Sequence, residues 1–303
     1  MIEAIFKDGF WKGFDVFVWV EARVTAMFVR IMVFVLSLSG TLSADMMISD
    51  FEAVVNDRFA DRSTSTHPDR NLFFDPGFDY SGVARAASSN WVTMISPTTF
   101  LSSNHSHPVN GTLVTFHHGN GPSNLNTSVR TVASGMQLGN TDLWIGELSS
   151  AVDPNVTYYG IATSLTIGDT VWQMGISPSA NYGATPTTDM AMGRNVVDAS
   201  GNVMLGTSVT FSSGYIDDTV AGDLVAPFVD PGPHLLTYET YFQEGDSGGP
   251  SFIANGAQLL LVGIHSFIGS VDVEAPFDGT PERRVSGDVF LPHYRTQILA
   301  NTT

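Results

Sequence analysis

The stretch Gly245-Asp246-Ser247-Gly248-Gly249-Pro250 decides how the rest of the chain is interpreted. It places a serine between an acidic residue and two glycines, and a proline follows. Glycines beside a serine allow the backbone to turn sharply and to approach a ligand closely. Such a turn directs several backbone N–H groups toward one point, as a developing oxyanion requires. Because a Gly-rich hairpin turn with an exposed serine has the same composition, the rest of the chain must supply a base and an orienting acid.

The composition favours an all-β protein. The 303 residues suffice for one large or two modest domains, and short runs of Val, Ile, Thr and Phe alternate with turn-forming clusters. The formal net charge is −17 and there is no basic stripe, which argues against nucleic acid as a partner. The absence of cysteine excludes disulfides, thiolate zinc sites and a cysteine nucleophile. A core of this size does not need disulfides, so export remains compatible with the composition.

Residues 1–44 resemble an export signal or a membrane anchor. Arg30 precedes a continuous apolar run at 31–36, and small residues follow up to Ala44, as in a secretory signal. The run is short and too rich in serine for a typical membrane span. We therefore expect a secreted or periplasmic protein, or a membrane-anchored one if the segment is retained. A helix that belongs to the domain is the third option.

The remaining chain divides into three parts. Residues 45–79 are polar and irregular and are interpreted as a linker or pro-segment. Short apolar runs bounded by turn residues predict two sets of strands, at 80–155 and 156–303, with long surface loops within 176–201. The predicted strands are 81–86, 91–95, 99–103, 111–117, 128–135, 142–148, 170–175, 259–266 and 287–291, and the predicted helix is 292–300.

A serine hydroxyl is a weak nucleophile and needs an adjacent base. His105 is the candidate base, because an apolar strand and then small residues lead into it and leave room around the imidazole. Asp142 is the candidate orienting acid, because Leu143 and Ile145 anchor it to a half-buried strand. An aspartate that only caps this strand is the alternative for Asp142.

Four segments in order resemble the trypsin/chymotrypsin-like serine proteases. The base histidine of that family follows an aliphatic strand and small residues, as in Phe100-Leu-Ser-Ser-Asn-His105-Ser. Its aspartate opens an Asp-aliphatic-X-aliphatic strand, as in Asp142-Leu-Trp-Ile-Gly-Glu-Leu148. Its nucleophile lies in Gly-Asp-Ser-Gly-Gly-Pro, which residues 245–250 match without change. A later strand, Leu261-Val-Gly-Ile-His-Ser266-Phe267, also matches.

The resemblance implies a serine endopeptidase with a His-Asp-Ser triad. Ser247 would attack the scissile carbonyl, His105 would take its proton, and Asp142 would hold the histidine in the correct tautomer. The backbone N–H groups of Gly245 and Ser247 would form the oxyanion hole. Ser266 would lie near Asp142 and help to fix its carboxylate.

The resemblance also implies a fold and a substrate class. It covers about residues 80–300 and implies two six-stranded antiparallel β-barrels of the chymotrypsin type, at 80–155 and 156–303, with a short C-terminal helix. The backbone around Ser266–Gly269 would pair with a polypeptide substrate in an extended conformation. No metal and no cofactor is expected, and we expect a monomer.

Two features depart from the family. Its disulfides are absent, including one that usually braces the segment before the nucleophile, so Tyr241 and Phe242 are expected to brace it by packing. No Ile-Val-Gly-Gly-type activation sequence lies near Tyr80. In many members a freed N-terminus pairs with the acid before the nucleophile, here Asp246. Bacterial members without that switch are known as a class, and the sequence leaves the partner of Asp246 open.

The specificity pocket receives conflicting signals. Tyr241 occupies roughly the place of an aspartate in trypsin-like members, which argues against simple trypsin-type specificity. His265 precedes Ser266 at a position where glutamate-specific bacterial relatives have a histidine, which favours an acidic P1 residue. Asp288 lies near the family's pocket base and favours a basic P1 residue. The candidate substrate-binding residues are Tyr241, His265, Ser266, Phe267, Gly269 and Asp288.

Two other functions are compatible with parts of the sequence. His105 and His107 would share a strand face and, with His117 and His118, suggest a metal cluster, but no Glu-bearing helix motif accompanies them. A protease-like binding or adhesion protein that has lost activity is the other alternative. Because all three triad members are present, the sequence favours the enzyme.

Overall fold

The protein is built mainly of β-strands, as its composition predicts. The computed structural model describes residues 15–24, 27–36, 45–59, 77–118, 126–166, 168–178, 189–205, 209–219, 237–271 and 283–302. The strands in these ranges are β1 (Asp15–Val24), β2 (Met27–Leu36), β3 (Met47–Ile48), β4 (Val83–Ala86), β5 (Trp91–Met94), β6 (Thr99–Ser103), β7 (Leu113–His117), β8 (Thr127–Gln137), β9 (Leu143–Leu148), β10 (Gly160–Ile161), β11 (Thr170–Gly175), β12 (Ala191–Leu205), β13 (Val209–Thr219), β14 (Thr240–Tyr241), β15 (Pro250–Asn255), β16 (Gln258–Val271) and β17 (Arg283–Phe290). The helices in these ranges are α1 (Ala53–Asn56) and α2 (Leu291–Ala300).

Strands β4 to β9 form a closed antiparallel barrel in the order β4-β5-β6-β9-β8-β7. Successive residues of a strand point to opposite faces, so each strand contributes alternate side chains to the interior. Phe100 packs in the apolar cluster of this barrel, whereas its neighbour Leu101 packs in a second cluster shared with the C-terminal half. The Phe100 ring lies over Gly146, where a Cβ would approach it within 2.1 Å. The predicted N-terminal barrel is therefore confirmed.

The C-terminal half contains a nine-stranded sheet. Its order is β11-β15-β16-β17-β13-β12-β1-β2, β10 pairs with β16, and β11 also pairs with β12. The strands predicted at 170–175, 259–266 and 287–291 correspond to β11, β16 and β17. The prediction of surface loops over 176–201 is wrong for its last part, because Ala191 begins the 15-residue strand β12. Pairing with β11 and β13 on its two edges outweighs the weak strand propensity of its polar residues.

Helix α2 ends the C-terminal half where the sequence predicts a helix. A proline lies in its first turn, where the missing N–H has no intrahelical partner to lose. Leu291, Tyr294 and Ile298 are its buried residues, and their spacing puts them on one face. This face packs into the cluster that both halves share.

Residues 15–24 and 27–36 of the N-terminal segment form strands. β1 and β2 pair antiparallel along their whole length, with Asp15 opposite Leu36, and β1 also pairs with β12. The option of a helix is therefore wrong for residues 15–24 and 27–36. Among the described residues, no helix is long and apolar enough to cross a membrane. Residues 37–44, the end of the signal-like segment, lie outside the described residues, and removal of 1–44 stays a prediction.

Residues 45–59 pack against both halves of the chain. β3 pairs with β14 of the C-terminal half, and Phe59 is completely buried. The guanidinium of Arg58 donates hydrogen bonds to the carbonyl oxygens of Val83 at 2.9 Å and His117 at 3.1 Å, both in the barrel. A free linker would not be buried in this way. Whether the segment is removed during maturation stays a prediction.

Candidate active site

The structure brings His105 and Asp142 together at one end of the barrel. His105 follows β6 and Asp142 precedes β9, and these strands are paired with Ser103 opposite Leu143. Nδ1 of His105 lies 2.7 Å from Oδ2 of Asp142, and the backbone N–H of His105 donates to Oδ1 at 2.9 Å. The candidate base and the candidate orienting acid are therefore in direct contact.

The Asp142 carboxylate is buried among hydrogen-bond donors. Its side chain is 1 % exposed, and the hydroxyl of Ser266 donates to Oδ2 at 2.5 Å. An ionised carboxylate only accepts hydrogen bonds, so Nδ1 of His105 carries the proton and Nε2 is left as an acceptor. This is the tautomer that a general base needs. Since two residues donate to Asp142, its role exceeds that of a strand cap.

The imidazole of His105 is accessible to solvent, and its surroundings shift its pKa. Its side chain is 45 % exposed. Desolvation lowers the pKa of His105, but the charge of Asp142 and the hydrogen bond to it raise the pKa by more, so it lies above its ordinary value. A histidine with a raised pKa is a stronger proton acceptor when it is neutral.

The turn that carries Ser247 lies against the strand that leads to His105. Gly248 has a φ of +90°, a region that favours glycine. A Cβ on Gly248 would lie 2.8 Å from the hydroxyl of Ser102, so this close approach also requires glycine. The N–H of Gly248 donates to the carbonyl of His265 at 2.8 Å, which fixes the turn on β16. Ser247 itself is partly exposed.

The hydroxyl of Ser247 makes no hydrogen bond to His105 in the described part of the chain. Catalytic hydrogen bonds are often long in the absence of substrate and tighten when substrate binds. The structure brings the nucleophile candidate and the base candidate to neighbouring loops without joining their side chains.

Two backbone donors of the turn are not used inside the protein. Among the described residues, the N–H groups of Gly245 and Ser247 donate no hydrogen bond, whereas the intervening N–H of Asp246 donates to the Gln243 carbonyl at 3.1 Å. Gly245 has a φ of +97°, which opens the turn. Two unused donors in one sharp turn are the arrangement that binds an oxyanion.

Asp246 is held by backbone N–H groups. It is completely buried. Its Oδ1 accepts from Ile176 at 2.7 Å and its Oδ2 accepts from Gln243 at 2.8 Å. Burial raises the pKa of Asp246 to about 8, while the two backbone hydrogen bonds and the charge of Arg85 act in the opposite direction. These contacts answer the question of what satisfies Asp246.

His265 and Asp288 are bonded to each other. They lie opposite each other on β16 and β17, with side chains 1 % and 0 % exposed. Nδ1 of His265 lies 2.7 Å from Oδ1 of Asp288, and Nε2 donates to the Met174 carbonyl at 3.2 Å. The Phe242 ring lies against the imidazole, with centroids 3.7 Å apart. In this structure neither His265 nor Asp288 offers its side chain to a substrate.

Burial favours the neutral form of both residues. Burial lowers the pKa of His265 to about 3 and raises the pKa of Asp288 well above its ordinary value. Because Nε2 of the neutral imidazole donates its proton to a carbonyl, Nδ1 is an acceptor. Asp288 must then carry a proton and donate it to Nδ1. His265, which favoured an acidic P1 residue, and Asp288, which favoured a basic one, therefore satisfy each other in the core.

The other candidate pocket residues line the same region of the C-terminal half. Tyr241 and Phe242 are buried, in agreement with the prediction that they brace the segment by packing. Phe267 lies over Gly287 of β17, where a Cβ would approach its ring within 2.1 Å. Gly269 follows on β16 and is also paired with β17. The pairing of β16 with β17 is irregular at Ser266 and regular from Phe267 to Gly269.

The remaining histidines form no metal site in the ranges that the structure describes. No group of three His, Cys, Asp or Glu there could hold a metal ion. The His107 ring stacks on Trp144 with centroids 3.7 Å apart and an interplanar angle of 5°. His117 and His118 are buried in the barrel.

No sequence pattern indicated one further contact at this site. The indole N–H of Trp91 in β5 donates to the carbonyl of Gly245 at 3.0 Å. The two residues are 154 positions apart, and long-range contacts of this kind leave no local signal in a single sequence. The apolar run at 91–95 predicted a strand but not this role.

Comparison with protein-family models found no matching family, and a search of curated proteins found no match. The likeness to the trypsin/chymotrypsin-like proteases therefore rests on the four sequence segments.

Proposed function

We propose that the protein is a serine endopeptidase that hydrolyses peptide bonds through an acyl-enzyme. The observation that carries the proposal is the hydrogen-bonded pair of His105 and Asp142 beside a sharp turn that presents Ser247 and two unused N–H groups. A binding protein without activity has no need for this tautomer or for unused backbone donors. The order of the three residues and the unchanged motif at 245–250 also support the proposal.

The reaction would proceed in two halves. Oγ of Ser247 attacks the carbonyl carbon of the scissile bond while Nε2 of His105 takes the hydroxyl proton. The N–H groups of Gly245 and Ser247 stabilise the oxyanion, and loss of one such donor typically costs about 2.7–4 kcal/mol. The tetrahedral intermediate collapses when His105 protonates the leaving amine. Water, activated by the same histidine, then hydrolyses the ester, and Asp142 keeps the imidazole oriented throughout.

We further propose that six strands of the C-terminal half form a second barrel. The support is the set of pairings β11-β15-β16-β17-β13-β12 together with the pairing between β11 and β12, which joins the two ends of this series. The active site would then lie between two barrels, with His105 and Asp142 on the first and Ser247 on the second.

The substrate would be a polypeptide in an extended conformation. The edge of β16 from Ser266 to Gly269 that does not face β17 would supply backbone groups to pair with it. The acidic P1 preference depended on access of a substrate to His265. Because that side chain is bonded to Asp288 and covered by Phe242, this support is lost. A peptide-library digest read by mass spectrometry decides the P1 residue directly.

The proposed setting is outside the cytoplasm. The signal-like character of residues 27–44 supports a secreted or periplasmic location, with membrane attachment if residues 1–44 are retained. The chemistry needs no cofactor, and we propose that the protein acts as a monomer.

The test is covalent labelling of the full chain with a fluorophosphonate probe for activated serines. Wild type should be labelled, and Ser247→Ala and His105→Ala should not. His107→Ala is the matched control, because it removes a histidine two residues away that has no contact with Asp142, and it should be labelled like wild type. A folded wild-type protein that takes no label would favour the inactive binding protein and end the proposal.

A further inference from the structure

Trp91 forms a bridge from the N-terminal barrel to the turn that carries the unused donors. Its side chain is completely buried, and its indole N–H donates to the Gly245 carbonyl at 3.0 Å. Gly245 itself is exposed. A residue of barrel strand β5 therefore reaches across to a residue of the proposed oxyanion hole.

The bridge fixes one peptide plane of the turn from both sides. The carbonyl of Gly245 and the N–H of Asp246 belong to the same peptide unit. Trp91 holds the carbonyl, and the N–H donates to the Gln243 carbonyl at 3.1 Å. The preceding peptide plane, which carries the N–H of Gly245, is joined to this one only through the glycine Cα. Since glycine has wide conformational freedom, the direction of that N–H depends on such external restraints.

The indole has little room to move. The guanidinium of Arg85 lies over the Trp91 ring at 5.2 Å from its centroid. Arg85 is held in turn by Asp189 at 3.3 Å and by the carbonyl of Ser89 at 3.0 Å. Trp91 also packs in the apolar cluster that joins the two halves. A donor held this firmly restrains the carbonyl more than a water molecule would.

We propose that Trp91 is a positioning residue that keeps the N–H of Gly245 directed at the same point as the N–H of Ser247. The peptide plane of the Ser247 N–H is itself held by the hydrogen bond from the N–H of Gly249 to the Asp246 carbonyl at 2.8 Å. The inference rests on the proposed protease activity of this site. Gly245 is exposed, so without the indole N–H water would satisfy its carbonyl. The N–H of Gly245 would no longer be held in one direction, and the step that forms the oxyanion would be slower.

The test compares Trp91→Phe with Trp144→Phe in the full chain. Trp144 is the matched control, because it lies in the same barrel and its indole N–H has no hydrogen-bond partner among the described residues. We expect Trp91→Phe to lower kcat about tenfold or more, short of the roughly 10²–10³-fold loss typical of a deleted donor. KM should change less than about twofold, since the restraint acts mainly in the transition state.

A second readout separates positioning from a general loss of structure. A peptide aldehyde forms a tetrahedral adduct whose oxyanion uses the hole, whereas the corresponding peptide alcohol has no carbonyl and forms no such adduct. Trp91→Phe should weaken the aldehyde by about the factor lost in kcat/KM and leave the affinity of the alcohol unchanged. Equal weakening of both ligands, or a kcat equal to that of Trp144→Phe, would overturn the inference.

The design also covers a Trp91→Phe variant that fails to fold, and it distinguishes failure of the Trp91 role from failure of the protease proposal. If Trp91→Phe does not fold, 3-benzothienylalanine placed at position 91 removes the N–H and preserves the ring shape, and the same outcomes apply. A wild-type protein that is inert to the fluorophosphonate probe refutes the protease proposal itself. An active wild type with an unaffected Trp91→Phe refutes only the role of Trp91.

Discussion

Protonation of Asp288 can be tested by the effect of Asp288→Asn on the free energy of unfolding. His265 donates through Nε2 to Met174, so the short contact between Nδ1 and Asp288 needs a proton from the acid. Asparagine has nearly the same shape and always offers an N–H. Asp288→Asn should therefore keep the hydrogen bond and lower the free energy of unfolding by less than about 1 kcal/mol, within the usual range for a tolerated substitution.

Substitutions that leave buried groups without partners should cost more unfolding free energy than Asp288→Asn. Asp288→Ala removes the short hydrogen bond to Nδ1 of His265 and leaves only the Ser251 hydroxyl, 3.5 Å away, as a donor, which costs about 1–3 kcal/mol before any cavity is counted. If Asp288 were instead ionised beside an imidazolium, Asp288→Asn would leave a buried charge without its partner. Breaking a buried ion pair in this way typically costs about 3–5 kcal/mol. The asparagine variant therefore distinguishes a neutral pair from an ion pair by several kcal/mol.

The assay is urea unfolding at pH 7 followed by circular dichroism, with free energies from linear extrapolation. Asp153→Asn serves as the control, because Asp153 forms an ion pair with Arg130 on the surface, 41 % exposed, and such pairs contribute about 0–1 kcal/mol. If Asp288→Asn is as unstable as Asp288→Ala, the neutral assignment of the pair is wrong.

Three other outcomes follow from the site. Asp142→Asn should lower kcat about 10⁴-fold, because an amide N–H facing Nδ1 of His105 forces the proton onto Nε2. Burst kinetics on an ester substrate measure this loss. A loss below tenfold would contradict the orienting role of Asp142. The acid limb of kcat/KM should have its midpoint above 6.5, because the pKa of His105 is raised in the free protein; a midpoint at or below 6.5 would contradict the tuning by Asp142. Between about pH 4 and 8 the unfolded chain ionises Asp246 while the native protein keeps it protonated, so this residue makes stability fall as pH rises. Asp246→Asn should remove up to about 1.4 kcal/mol per pH unit of that slope, as measured by urea unfolding across the window, and an unchanged slope would show that Asp246 is ionised throughout.

The parts of the site that lie in short motifs were predictable from the sequence. His105, Asp142 and Ser247 each stand in a local pattern of strand, small residues or glycine turn, and the pairing of β6 with β9 brings the loops of His105 and Asp142 together. The barrel strands were predictable for the same reason, because each is a short apolar run between turn residues. Neither inference needed knowledge of which distant residue packs on which.

The parts that depend on long-range pairing were not predictable. His265 and Asp288 carried opposite signals because the register that places them side by side on β16 and β17 is set by the whole sheet. The polar residues from Ala191 onward suggested a loop, yet pairing on two edges makes them a strand. The bridge from Trp91 to Gly245 spans 154 residues and is invisible to any local pattern.

The hydrogen bond from Ser266 to Asp142 has a consequence for how the molecule would fail. Asp142 belongs to the N-terminal barrel, while Ser266 and Ser247 belong to the C-terminal sheet. The complete site therefore exists only while the two halves are docked. Mild heat or denaturant that separates the two halves would therefore disrupt the site while each half still keeps its strands. If the proposed protease activity holds, it would therefore be lost before either half unfolds, which would limit self-digestion in a partly denatured population.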